Sequence, residues 1–313
     1  MLLADINTPA RGAYTQLNEL IALRFPARQL KLGRRTRALS NLAGPIKSNF
    51  RGRGIDFEEV RSYQPGDDIR TIDWRVTART GSAHTKLFRE ERERPVLVVV
   101  DQRTSMFFGS SHCFKSVLAG HLASLLAWSA LNGGDRVGGL VFNENGHQEI
   151  RPRRSRKTVL TLLSQISSYN ATLPVDSSNE ADSFAQMLSN LRRIARPGSS
   201  IFLISDFRGA SEEGAREHLF ELTKHTELTA LACSDPLESD LPKAGTYAVT
   251  NGRERSELDT GMRQLRDSYR RRQQRQRESL SNDLIRLGVP LLQASTHLPP
   301  FNLLQTYFGE MRR

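Results

Sequence analysis

Cysteine is nearly absent: Cys113 and Cys233 are the two in 313 residues. Two thiols cannot build a disulfide scaffold or a four-cysteine metal centre. Lysine is scarce too, supplying 7 of the 45 basic side chains, so the cationic surface is one of arginine. No apolar run reaches the roughly 20 residues of a membrane span. The longest nearly apolar stretch, Val117 to Leu131, contains His121 and reads as a buried helix. The opening MLLADINTPA has no basic segment followed by an apolar one, so no signal peptide is expected and the cytoplasm is the expected compartment. The phosphate-loop, H-E-x-x-H and G-x-S-x-G patterns are missing. The seven histidines do not cluster at ligand spacing, and Cys113 beside His112 has no assignable third group. No catalytic residue is assigned, and the chain is not expected to be an enzyme.

What is present is a polar globular composition, 38% hydrophobic and 25% charged, which folds without staples. The net charge of +11 admits nucleic acid, anionic lipid or an acidic protein as partner. An arginine excess of this kind also follows from genomic base composition.

Two regions differ in pattern. Residues 1–90 hold a helix over 12–25 and, over 45–90, short strands and loops punctuated by Pro65-Gly66-Asp67 and Gly81-Ser82. From Pro95 buried strands alternate with helices. VLVVVD (96–101) is β-branched and apolar throughout, as in a parallel sheet covered on both faces. Helices are expected at 113–132, 155–169, 183–196, 212–225, 258–287 and 300–311, and strands at 200–207, 227–233 and 289–293. Asn145-Gly146 marks a hairpin within 137–152. The expected fold is α/β: a doubly wound, mostly parallel sheet over 95–313, with an N-terminal β-rich region over 1–90.

Ligands of such sheets sit beyond the carboxyl ends of the strands. Two strands end there in a carboxylate, at Asp101 and Asp206. The segment D-Q-R-T-S (101–105) resembles the von Willebrand factor A domain, whose metal site begins Asp-x-Ser-x-Ser after its first strand. Asp101 and Ser105 match, Asp206 stands for the second aspartate, and Arg103 replaces the middle serine. The resemblance implies Mg²⁺ on Asp101, Ser105 and Asp206, since oxygen ligands suit that ion. A guanidinium at 103 opposes a divalent ion. Either it points away, or it stands in the ion's place and pairs with both aspartates. The bland alternative has the carboxylates capping helices.

The block GRGIDFEEVRSYQPGDDIRTIDWRVTART carries a second resemblance. Gly52-Arg53-Gly54, Asp56-Phe57, Arg61-Ser62-Tyr63, Pro65-Gly66-Asp67, Arg70-Thr71-Ile72-Asp73-Trp74 and Ala78-Arg79 are similar to the signature of the proteins catalogued as domain of unknown function 58. The resemblance implies a von Willebrand-like domain after the block. It also implies a non-enzymatic accessory role beside bacterial MoxR-type AAA+ ATPases and other von Willebrand-type proteins, in chaperone-like assembly or maturation. The implied partner-binding residues are Asp101, Arg103, Asp206, Arg70, Asp73 and Trp74. Dense arginine–carboxylate alternation in the block serves either to lock the region or to dock a partner, and Trp74 by itself reads as a core anchor.

The arginine-rich helix holds nine Arg and four acidic residues over 253–277. No helix-turn-helix, zinc finger or stacking series accompanies it, so no specific nucleic-acid partner is expected, and any membrane contact would be peripheral. Met262, Leu265, Tyr269, Leu280, Leu284 and Leu287 supply an apolar face for packing. Two alternatives stay open: a metal-dependent hydrolase at Asp101 and Asp206, and a basic binder of nucleic acid or membrane surface.

Overall fold

The computed structural model describes residues 6–32, 42, 56–64, 72–89, 93–172, 182–250 and 255–309. It divides into two compact units: Asn49–Glu93, and Met1–Ser48 together with Arg94–Arg313. The N-terminal segment therefore belongs with the α/β unit and not with the region that follows it.

The larger unit is a mixed α/β structure around a six-stranded sheet. Its strands are β3 (Pro95–Asp101), β4 (Arg136–Asn143), β5 (Gly146–Arg153), β6 (Ser200–Ser205), β7 (Glu227–Ser234) and β10 (Leu291–Ser295). The order across the sheet is β10-β7-β6-β3-β4-β5, parallel except for the β4–β5 hairpin. Alternation along β3 builds both cores. Val96, Val98 and Val100 face one layer, Leu97 and Val99 the other. The first layer holds α3 (Lys115–Asn132), α4 (Arg156–Ala171) and α9 (Pro300–Phe308). The second holds α5 (Asp182–Ile194), α6 (Glu213–Thr223) and the carboxyl half of α8 (Arg263–Arg286).

The N-terminal segment packs on the first layer. Its expected 14-residue helix is a short α1 (Leu17–Ala22) and a 3₁₀ turn (Pro26–Gln29), because Pro26 removes a backbone donor where the helix would continue. Leu20, Ala27 and Leu30 are buried there. The Ser124 and Ser129 hydroxyls of α3 donate to the carbonyls of Leu20 (2.5 Å) and Leu30 (2.9 Å).

Helix α8 is shorter than its sequence pattern. Residues 255–259 form strand β9, paired antiparallel with β8 (Thr246–Thr250), a hairpin absent from the sequence reading. Gly261, whose N–H is held by Asp259 Oδ1 at 2.7 Å, separates β9 from the helix. The apolar face also divides. Leu284 is buried and Leu280 and Leu287 pack beside it, while Met262 (66%) and Leu265 (37%) are exposed.

In the smaller unit β1 (Asp56–Ser62) pairs antiparallel with β2 (His84–Arg89). Between them lies a helix, α2 (Trp74–Thr80), where short strands and loops were expected. Its punctuation is local: Asp73 caps its start, accepting from the N–H groups of Arg75 (3.0 Å) and Val76 (3.2 Å), and Gly81 ends it at φ 76°.

Candidate functional site

Chain order reverses between β3 and β6, so the sheet's switch point lies between Asp101 and Asp206. Asp101 closes β3 and is fully buried. Arg103, two residues on, folds back onto it. Its Nε lies 3.1 Å from both Asp101 carboxylate oxygens, and its Nη2 lies 2.8 Å from Oδ2. The same Nη2 reaches Asp206 Oδ1 at 3.6 Å. The guanidinium therefore stands between the two aspartates. It is 3% exposed and lies near the rings of Phe184 (5.0 Å) and Phe142 (5.6 Å).

A second internal cation meets it. Lys115, the first residue of α3, is fully buried, and its Nζ lies 3.0 Å from Asp206 Oδ2 and 2.6 Å from Glu238 Oε1. Burial pushes the ammonium down, but Asp206 and Glu238 outweigh it and hold Lys115 above its usual value. Burial likewise pushes Asp206 up, and Lys115, Arg103 and Arg208 outweigh it, holding that carboxyl below its ordinary range. Arg103 follows the same pattern: burial opposes its charge, and Asp101, Asp206 and Glu144 restore it.

The remaining oxygens are engaged as well. Ser205 Oγ donates to Asp101 Oδ2 at 2.6 Å and accepts the Phe207 N–H at 2.9 Å. Arg208 N–H donates to Asp206 Oδ1 at 3.1 Å. Phe207 adopts φ 60°, uncommon for a bulky residue, on the turn that carries Asp206. Ser105 keeps an enclosed Oγ with no partner among the described residues. This donor set does not fit a resident divalent ion, because both carboxylates that would bind it already carry organic cations. Among the described residues no group of three His, Cys, Asp or Glu has metal-binding geometry.

Around this core the edge loops are tied together. Asp235 Oδ2 accepts from Ser110 N–H (2.9 Å) and Thr296 Oγ1 (2.6 Å), joining the loop after β3 to the loop after β10. Phe108 and Leu298 stand exposed on these two loops. Asp235 and Glu238 also form the capping box of a short helix, α7 (Pro236–Ser239). A buried polar chain runs from the site loop to the N-terminal segment. Gln102 donates to Ser116 O (3.1 Å), Asn170 donates to Gln102 Oε1 (3.1 Å), and Thr15 N–H donates to Asn170 Oδ1 (2.6 Å).

The structure thus gathers Asp101, Arg103, Ser105 and Asp206 at one place, and buries Asp101 and Arg103 beyond direct contact with a partner. Arg208, with its side chain 61% exposed, is the arginine open to solvent beside Asp206. Asp73 and Trp74 lie in the smaller unit. Asp73 is the helix cap, and Trp74 is 68% exposed, which corrects its reading as a core anchor. Arg70 lies outside the described residues. Sequence reasoning missed Lys115, Glu238 and Asp235. The available signals were a lone lysine opening an otherwise apolar helix and the D-P-L-E capping pattern.

Residues 59–279 match the family described as protein of unknown function DUF58. The chain belongs to the DUF58 family. This DUF58 protein is 31% identical over 250 residues to uncharacterised proteins of Mycobacterium bovis and Mycobacterium tuberculosis, a match spanning 78% of this chain and 76% of each relative. Among solved structures it is similar to the conserved hypothetical protein BatB of Bacteroides thetaiotaomicron (17% identity, 62% of this chain and 98% of that one, TM-score 0.39). It is also similar to an aerotolerance-related membrane protein of Bacteroides fragilis (14% identity, 68% and 96%, TM-score 0.42). Among the described residues of the DUF58 chain, no helix is long and apolar enough to cross a membrane.

Proposed function

We propose that this DUF58 protein is a non-enzymatic adaptor with a von Willebrand factor A-like α/β unit. Its carboxyl-edge loops dock a protein partner of the MoxR-type AAA+ ATPase class in the cytoplasm, for chaperone-like assembly or maturation. The observation that carries the reading is the Arg103–Asp101–Asp206–Lys115 cluster at the switch point, where internal cations fill the place of an ion. A von Willebrand-type domain that docks through a metal needs the ion loaded. Here the loops are held permanently, and docking is independent of divalent metal.

Contact falls to the exposed groups around the cluster: Arg208, Phe108 and Leu298. Exposed aromatic and arginine side chains are the commonest anchors of protein interfaces. Trp74, presented by the Asp73 cap, is a second anchor of that type on the smaller unit. A hydrolase at Asp101 and Asp206 would need a free carboxylate or an ion-bound water, and both carboxylates are committed to cations.

The test is affinity purification of the tagged full-length protein from its host, in Mg²⁺ and in EDTA, with F108D and L298D in parallel. An AAA+ ATPase retained in both buffers and lost with F108D or L298D supports the adaptor. Recovery of no ATPase, or of nuclease-sensitive material alone, refutes it.

A further inference from the structure

A cleft of about 800 Å³ opens beneath the middle of α8, from Tyr269 to Leu280. Its floor is the end of β7 (Ala232–Ser234), Gln293 of β10 and Phe207, and it borders the Asp206–Arg208 turn. From this cleft we infer a binding site for an extended acidic peptide segment of another protein. The inference deepens the adaptor reading and rests on it.

Charge is the first argument. Arg208, Arg272, Arg275 and Arg277 line the cleft. Arg277 is held by Ser239, and the neighbouring Arg270 by Asp240 at 2.7 Å, which ties this part of α8 to the α7 segment. Arg272 and Arg275 are exposed and form no ion pair among the described residues. Of the three acidic lining groups, Asp206 and Glu238 are paired with Lys115 and Arg208, which leaves Glu212. The cleft therefore presents uncommitted guanidinium groups, which bind carboxylates in a forked, directional way.

Polar neutrality between those charges is the second argument. Gln273, Gln276, Gln293, Ser211, Ser234 and Ser279 supply amides and hydroxyls that both donate and accept. Such groups complement the alternating N–H and C=O of a peptide backbone. A polyphosphate chain offers acceptors only and cannot use the acceptor oxygens of these groups.

Shape is the third. From Tyr269 to Leu280 the helix wall runs about 16 Å at 1.5 Å per residue, the length of about five extended residues. Phe207, Ala232, Tyr269 and Leu280 give apolar seats between the polar groups. The fitting ligand alternates acidic and apolar side chains.

The probe is a fluorescein-labelled hexapeptide of alternating glutamate and leucine, followed by anisotropy on the full-length protein. Saturable binding is expected, weakened about tenfold or more by R272E/R275E and by replacing the peptide's glutamates with glutamine. Thermal unfolding of R272E/R275E checks that the fold is intact, as exposed positions predict. Unchanged binding in R272E/R275E, or tighter binding of tripolyphosphate or single-stranded DNA than of the peptide, overturns the inference. The F108D purification separates the two readings. ATPase recovery with no peptide binding refutes the cleft and leaves the adaptor standing, whereas peptide binding without any ATPase refutes the adaptor alone.

Discussion

Arg103→Ser tests the internal-cation site most directly, because it removes the guanidinium and restores the Asp-x-Ser-x-Ser spacing between Asp101 and Ser105. Three nitrogen–oxygen contacts of 2.8–3.1 Å to Asp101 disappear, with the 3.6 Å contact to Asp206. Asp206 keeps Lys115 at 3.0 Å and Arg208 at 3.5 Å, so its charge stays compensated. Asp101 keeps the Ser205 hydroxyl at 2.6 Å and the residue-103 N–H at 2.9 Å, but no cation. Removing one member of a buried ion pair costs about 3–5 kcal/mol. The retained hydrogen bonds favour the lower end of that range, and lost contact with Phe142 and Phe184 adds about 1 kcal/mol. The assay is urea unfolding in EDTA, followed by Trp128 fluorescence in a W74F background, so that only the larger unit is reported. In Mg²⁺ the variant's Asp101 carboxylate, left without a cation, takes the ion, and stability recovers by about 2.7 kcal/mol at one hundred times the dissociation constant. The wild type is unmoved by Mg²⁺. A loss below about 1 kcal/mol, or equal Mg²⁺ stabilisation of the wild type, would refute the reasoning.

Four further outcomes follow from the structure. His121 keeps slight exposure as a residue, but its Nε2 is enclosed without a partner among the described residues, and burial lowers its pKa from 6.5 to about 4. The unfolded chain binds that proton first, so stability falls as pH drops from 6.5 towards 4, by up to about 3 kcal/mol, and H121L removes this part of the urea-midpoint profile. Below about pH 4 the depressed Asp206 carboxyl adds a second loss of stability, which D206N abolishes in acid titrations. Burial pushes the Cys113 thiol up to about 12, so iodoacetamide labels it only after denaturation, and rapid native labelling would show that the site is open. A Cβ at Gly139 would lie 2.2 Å from the Val98 carbonyl of the neighbouring strand, so G139A lowers the melting temperature by several degrees or prevents folding, while at Gly214 the nearest neighbour would be 3.9 Å away and G214A does not clash.

Much of the larger unit was legible in the residues because its strands are buried on both faces. VLVVVD and SIFLIS could be little else, and Asn145-Gly146 fixed the hairpin between β4 and β5. Partial legibility began where one residue overrides a pattern. Asp73 turns an apparently strand-like Ile-Asp-Trp into a helix start, and Gly261 cuts a basic run that would otherwise continue as helix from 258. The site was half visible. Asp101, Arg103 and Asp206 lie at strand ends and were named, whereas Lys115 meets Asp206 across 91 residues of sequence and Glu238 across 123. No local spacing encodes such a meeting. The exposure of Trp74 was unreadable for the same reason, since an aromatic at a helix start packs inward or outward according to what lies opposite.

The N-terminal segment sits in the core of the larger unit, and the chain leaves that unit after Ser48 and rejoins it at Arg94. In chain terms the smaller unit is an insertion within a host domain, and not a domain that precedes it. Cutting the protein before β3 would strip Leu20, Ala27 and Leu30 from α3 and break the Thr15–Asn170–Gln102 relay that ends beside Arg103. Removing residues 49–93, by contrast, leaves both in place. The first core layer is thus assembled from chain segments on either side of the insertion.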